Sequence, residues 1–204
     1  VVVDPGMFAD NFLRVIDYAT LLGFYPVLTG ESRSAPVATE DIAAVVAAVL
    51  RAPERYVGQR LRPTGPALLT GRQMATEIAR AIGRPVRAVD LPFPLFLKAA
   101  RQAGAPIHEI LNYRDYLADH RLGAFADGGG VTDVVERLAG RPAEPFATTA
   151  ARYAALPFAQ PTLRNRLAAL ARFAILPFLP GHPIERYASA LHLPRPPLTR
   201  LAHN

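Results

Sequence analysis

The 204-residue chain reads as an α/β protein that turns helical in its second half. Three observations predict this. Residues 1–3 are an unbroken β-branched run, which suits a strand covered on both faces in a parallel sheet. Residues 36–90 alternate short β-prone runs with helical periodicity, the mark of strand–helix–strand units. From Pro94 onward, apolar residues recur at helical spacing and glycines punctuate them.

Each element follows from local chemistry. Pro5 and Gly6 end the first strand. A short strand over 36–38 leads to a helix that Thr39 is expected to N-cap, with Glu40 and Asp41 in its positive first turn. Ile42, Val45, Val46, Val49 and Leu50 keep helical spacing and Ala fills most of the remaining face, so this helix is expected to be buried nearly all round. Residues 60–64 read as a strand and Gly65-Pro66 as a turn. Thr70 and Gln73 form a capping-box pair ahead of a helix marked by Met74, Ile78 and Ile82 and stopped at Gly83. Residues 86–89 are another strand.

A helix over 95–103 then stops at Gly104, and Ile107, Ile110, Leu111 and Leu117 mark a second that ends near Gly123. Gly128, Gly129 and Gly130 read as a flexible link into a third helix, capped by Thr132 and closed by Gly140 with Pro142 beyond. A fourth covers about 147–155. After Pro157, Leu163, Leu167, Leu170 and Ala174 share a helical face with Arg164 and Arg172 off it. Pro177 ends that helix, and a short one over about 184–191 follows. The expected division is 1–156 as the main domain and 157–204 as a basic helical extension.

Composition narrows the function. The chain has no Cys, which excludes thiol catalysis, zinc-thiolate sites and disulfides. Lys98 is the sole lysine among 23 basic residues, a pattern of compositional bias. Residues 1–150 balance 16 basic against 16 acidic side chains, whereas residues 151–204 hold seven Arg and only Glu185. The basic surplus therefore lies in the C-terminal segment, where it reads as a solvated tail rather than a specific nucleic-acid site. No leader-like segment and no apolar run of spanning length occurs, so a cytoplasmic protein is expected. Docking of the 163–176 helix on an anionic membrane is not expected, because its apolar face is Leu and Ala with few charges.

Several chemistries are absent from the sequence. There is no G-x-G-x-x-G and no G-x-x-x-x-G-K-[ST]. A Tyr-x-x-x-Lys pair is impossible, because Pro94 stands four before Lys98. G-x-S-x-G is missing, with serines only at 32, 34 and 189. His108-Glu109 lacks the second His of a zinc helix, so no metal site is expected. Tyr116 and His120 sit at i, i+4 and can meet if their helix walls a cleft.

The opening segment is the best candidate for chemistry. A strand ending in Pro-Gly places the next residues at the carboxyl edge of a parallel sheet, where open α/β folds bind ligands. Met7 and Phe8 offer an apolar wall and Asn11 an amide that both donates and accepts. A second reading stays open, in which Asn11 braces a helix start and its neighbours are core.

These residues carry a resemblance. DPGMFADNFL resembles the R-P-G-x-F-x-E-N-x-L segment of the NmrA-like family, a branch of the atypical short-chain dehydrogenase/reductases. APVATEDIAAVVAAVL resembles its strand followed by D-I-A-x-V, and RPTGPALLTGRQMATEIARAIGRPVRAVDLP its T-G-P-x-x-L-T-x-x-E-[IL]-A segment. GGGVTDVVERLAGRPAEPFATTAARYA resembles its closing T-x-D-V-x-x-L-T-G-R-x-P-x-[ST]-F. The four stretches stand in order over residues 1–155.

The resemblance implies the C-terminal half of a Rossmann-like doubly wound parallel sheet, with a mostly helical substrate-side subdomain and an α-helical tail. The family's Gly-rich loop and any catalytic Tyr and Lys lie upstream of the matched stretch. The implied cofactor is NAD or NADP in the intact protein, with weak or no binding by this chain alone. Pro5, Gly6, Phe8 and Asn11 match positions beside the nicotinamide. Met7, Phe93, Tyr113, Tyr116 and His120 fall on the implied substrate side. Asp4 departs from the family's Arg. The implied activity is reduction of small carbonyl or quinone-like compounds. The alternative is a non-catalytic redox-sensing module, with a protein partner or self-association through an open sheet edge.

Overall fold

The computed structural model describes residues 1–121 and 130–193. Its strands are short and pair two by two. β1 (Val2–Val3) runs parallel to β4 (Arg60–Leu61), with Val2 opposite Arg60. The ladder continues past both strands, as Asp4 N–H donates to Leu61 O at 2.8 Å and Gly6 N–H to Pro63 O at 3.0 Å. The chain then crosses to Val37, which donates to Met7 O and accepts from Ala9 N–H, both at 2.9 Å. β2 (Phe24–Val27) pairs in parallel with β6 (Arg87–Asp90), and β3 (Arg33–Ser34) pairs antiparallel with β5 (Leu69–Thr70).

The first strand is parallel, as its β-branched run predicts, but it is not covered on both faces. Val1 and Val2 are 51% and 56% exposed, and β1 has a strand partner on one edge alone among the described residues. The expected strand over 36–38 shrinks to the single bridge at Val37. Pairing moves upstream to β3, because Pro36 has no N–H to give a ladder.

Nine helices frame these strands among the described residues. They are α1 (Ala9–Leu13), α2 (Thr39–Arg51), α3 (Gly71–Ile82), α4 (Phe93–Gln102), α5 (Ile107–Arg121), α6 (Val134–Ala139), α7 (Phe146–Ala154), α8 (Leu163–Ile175) and α9 (Ile184–Ala190). A π-helical turn, Tyr18–Leu22, links α1 to β2.

The main core lies where α3 and α7 pack over β2. It holds Leu13, Ile16, Tyr25, Val27, Met74, Ile78 and Phe146, all buried. Each such aliphatic side chain contributes about 1.5–3 kcal/mol on burial. The capping box forms at the start of α3, with Thr70 Oγ1 accepting from Gln73 N–H and Gln73 Oε1 accepting from Thr70 N–H. Gly71 is required there by space. A Cβ at that position would lie 2.5 Å from Val27 Cγ1, so α3 can seat on β2 only with glycine at the crossing. Gly65 is tighter, since its Cβ would meet Pro36 O at 2.0 Å.

Two expected caps have other work. Ala38, not Thr39, is the N-cap of α2. Thr39 is already helical and its hydroxyl donates to Asp10 Oδ2 at 2.5 Å. Thr132 is not the cap of α6, whose N-cap is Asp133. Instead Thr132 N–H donates to Thr64 Oγ1 at 2.9 Å and its hydroxyl donates to Arg62 O at 2.5 Å, which ties the α6 entry to the end of β4.

α2 is also less buried than its Ala content predicts. Val45 and Val49 form its core stripe against Val134 and Val135 of α6, while Leu50 faces solvent. Its first turn carries a buried charge. Asp41, fully buried, ion-pairs with Arg141 at 2.6 Å and accepts from Glu144 N–H at 2.7 Å. Glu144 in turn accepts from Thr149 Oγ1 at 2.6 Å and pairs with Arg152, which also reaches Glu40. Burial raises the Glu144 carboxyl, but the Arg152 and Thr149 hydrogen bonds outweigh it and hold it below the usual carboxylate range. This network joins the TEDIA and GRPAEPF stretches, which are 100 residues apart in sequence. The glycines expected as a link lie outside the described residues, apart from Gly130.

Candidate functional site

A cavity of about 310 Å³ opens between the end of α1, β2, α4, α5 and α8. The sequence makes it apolar at each wall. α1 contributes Asn11 and Phe12, and the π-helical turn Tyr18. β2 contributes Phe24, Tyr25 and Val27, α4 Phe96 and Ala100, and α5 Ile110, Tyr113, Tyr116, Leu117 and His120. Arg172 and Phe173 of α8 and the following Leu176 close the remaining side.

The rings form two short chains of contacts, tilted except for the stacked Phe93–Phe96 pair. Tyr18, Phe24 and Phe173 follow one another at centroid separations of 5.3 and 5.4 Å. Phe93, Phe96 and Tyr113 do so at 5.8 and 5.7 Å. Such pairs add about 0.5–1.5 kcal/mol beyond their area, so the walls are stiff.

Polar groups are few and mostly committed. Tyr25 donates to Phe12 O at 3.0 Å, and burial raises its phenol well above the ordinary range. Tyr18 is raised as well, first by burial and then by Asp17, with Arg172 opposing. Both phenols stay protonated at neutral pH. Asp17 accepts from Arg172 Nη2 at 2.8 Å, and Gln102 donates to Arg172 O at 3.1 Å. His120 is buried, with Nδ1 3.1 Å from Ser32 Oγ and its ring edge-on to Phe12 at 6.4 Å. Burial lowers its pKa to about 4, so it is a neutral imidazole at pH 7.

α4 fastens the C-terminal segment to this wall. Lys98 Nζ donates to Pro177 O, Arg101 donates to Gly181 O at 3.1 Å, and His182 donates to Ala105 O at 2.9 Å. The 157–193 segment is therefore tied to the body, and its Arg172, Phe173 and Leu176 line the cavity.

The sequence-derived candidates divide. Met7, Asn11, Tyr113, Tyr116 and His120 come together on the cavity. Pro5, Gly6 and Phe8 do not line it. Gly6 is committed to the β4 ladder, and Phe8 precedes α1 as its N-cap with its backbone bridged to Val37. Phe93 stands one ring behind the wall, stacked on Phe96. Of the four positions expected beside a cofactor, Asn11 alone faces the cavity, and the sequence has no Gly-rich loop to cradle a pyrophosphate. No group of three His, Cys, Asp or Glu among the described residues is arranged to hold a metal.

Sequence reading missed Phe12, Tyr18, Phe24, Tyr25, Arg172 and Phe173. Phe12 adjoins Asn11 and was within reach of the same argument. Phe24 and Phe173 meet across the fold, and no local signal pairs them.

The fold is a Rossmann-like α/β architecture, mostly helical with short parallel strand pairs. No family model matches the chain. It is 32% identical over 161 residues to the NAD(P)H azoreductase of Xenophilus azovorans, covering 75% of this chain and 52% of that protein. It is 30% identical over 152 residues to the (4-alkanoyl-5-oxo-2,5-dihydrofuran-3-yl)methyl phosphate reductase of Streptomyces griseus, covering 74% and 52%. Among solved structures it is similar to the triphenylmethane reductase of Citrobacter, with a TM-score of 0.62 at 16% identity over 74% of this chain and 52% of that one. The NADPH-dependent quinone oxidoreductase of Escherichia coli gives 0.60 at 21% over 72% and 52%. The chain spans about half the length of the curated relatives it matches.

Proposed function

We propose that this chain forms the substrate-side wall of an NAD(P)H-dependent reductase acting on flat apolar ring compounds of quinone or azo type. The observation that carries this is the stiff, aromatic-walled cavity of about 310 Å³. That volume is at the small end for ligand pockets and suits a two-ring compound better than an extended one. The names of the related azoreductase, dye reductase and quinone reductase support the same substrate class.

In this reading Phe12, Phe96 and Tyr113 take the ring faces, and the Asn11 amide donates to an oxygen or nitrogen on the ring. His120 stays neutral and braces Phe12 from α5. The Asp17–Arg172 pair has its charges internally matched, so it leaves the cavity fit for uncharged compounds. A nicotinamide, when bound, supplies hydride. Nothing in the 204 residues has the pattern that holds its pyrophosphate, so this chain alone binds the ring compound and binds NADPH weakly or not at all.

Isothermal titration of the full chain tests both halves. Menadione is expected to bind in the range of roughly 10–500 μM, as fits an apolar pocket with few polar anchors. Phe12→Ser is expected to weaken it on the order of tenfold. NADPH is expected to show no saturation below about 1 mM. Absence of menadione binding would remove the substrate-wall reading, and micromolar NADPH binding would remove the cofactor half.

A further inference from the structure

We infer that α8 is a peripheral membrane anchor that seats this chain on an anionic lipid surface. The inference goes beyond the reductase reading and does not rest on it. The sequence gives α8 an apolar stripe of Leu163, Leu167, Leu170 and Ala174, and such a stripe normally faces the core. Here it faces solvent. The helix meets the body through Arg172 and Phe173, Asn165 ties it to the preceding turn, and Ala169 is its one buried residue. Leu163 is 75% exposed, and Leu167 and Leu170 are more than half exposed.

At 3.6 residues per turn these leucines, with Ala171 and Ala174, fill an outward arc of about 100°. Arg164 bounds the arc on one side and Arg166 on the other. That is the order an interfacial helix needs, with apolar side chains in the acyl region and guanidinium groups at phosphate level on either flank. Exposed rings also flank the helix in sequence, Phe178 after it at 86% exposure and Phe158 before it. The exposed apolar surface of this segment is therefore not Leu and Ala alone.

Charge selects the occupant. Arg164, Arg166 and Arg186 have no ion-pair partner among the described residues. The single acidic residue after Glu144 is Glu185, and Arg114 of α5 already pairs with it at 3.3 Å. Two further arginines, Arg195 and Arg200, follow in the sequence. Exposed apolar surface framed by unneutralised arginine complements an anionic bilayer. No described helix is long and apolar enough to cross one, so the attachment is to the surface.

The test is co-sedimentation of the full chain with vesicles of phosphatidylglycerol and phosphatidylcholine, against pure phosphatidylcholine. Binding is expected to the anionic vesicles, with loss at 0.5 M salt as charge is screened. Arg164→Gln with Arg166→Gln is expected to weaken it on the order of 25-fold. Leu163→Ser with Leu167→Ser and Leu170→Ser is expected to weaken it at least about tenfold with the circular dichroism melt unchanged. Equal sedimentation with both vesicle types, or anionic binding unmoved by the leucine variant, overturns the inference. So does a dimer in gel filtration that the leucine variant converts to monomer, because a second copy would then cover the face.

Discussion

α2 and α8 are both 13-residue helices with an apolar stripe at the same spacing, yet they use it in opposite ways. α2 turns Val45 and Val49 inward against α6, and its first turn is pinned by the buried Asp41 to Arg141 and Glu144. α8 turns its leucines outward and holds the body through Ala169, the Phe173–Phe24 ring contact and the Arg172–Asp17 pair. Periodicity says that a face exists. Which way it turns is set by what else on the helix is committed, and in α8 the side chains opposite the leucines are the committed ones.

The sharpest way to break this contrast is at the start of α2. Asp41→Ala leaves the Glu144 N–H and the half-exposed Arg141 without their buried partner and is expected to cost about 2–3 kcal/mol in urea unfolding. A loss under about 1 kcal/mol would mean the network is surface-like and α2 no better anchored than α8.

Acid probes a third helix, since neither α2 nor α8 contains histidine. His120 in α5 titrates at about 4 when folded and near 6.5 when unfolded. Between those values the unfolded chain binds more protons, so stability rises with pH. Its share is complete above about pH 6.5 and is lost as pH falls toward 4, on the order of 3 kcal/mol in total. His120→Gln is expected to flatten that window, as read from urea midpoints at pH 4.5 and 7.

Two smaller effects set the helices side by side. Val45→Ala is expected to cost about 2 kcal/mol by opening space against Val135. Leu167→Ala, a larger deletion at an exposed site, is expected to change thermal stability by less than about 0.5 kcal/mol. Equal costs for the two would show that the leucine stripe is covered in solution without lipid.

Local chemistry made much of the fold legible. The Thr70–Gln73 box and the glycine stops at 83, 104 and 140 are decided within a few residues, and all four stand where the spacing puts them. Thr39 and Thr132 went astray because a threonine hydroxyl serves equally as a cap or as a tether, and the partners that decide, Asp10 and Arg62, are distant in sequence. The site was legible by halves. Met7, Asn11, Tyr113, Tyr116 and His120 share the cavity, but its α8 wall depends on a ring contact between Phe24 and Phe173, which nothing local announces. In sequence Asp41 is a helix-dipole residue, and its pairing with Arg141 shows why an acidic residue opens that stretch at all.

Phe173 touches the hollow and Leu167 stands across the same rod, so α8 has an indoor and an outdoor address. Any coupling between the two faces is reciprocal by thermodynamic necessity. By whatever factor a ring compound alters the hold on lipid, lipid alters the hold on the ring compound by that same factor.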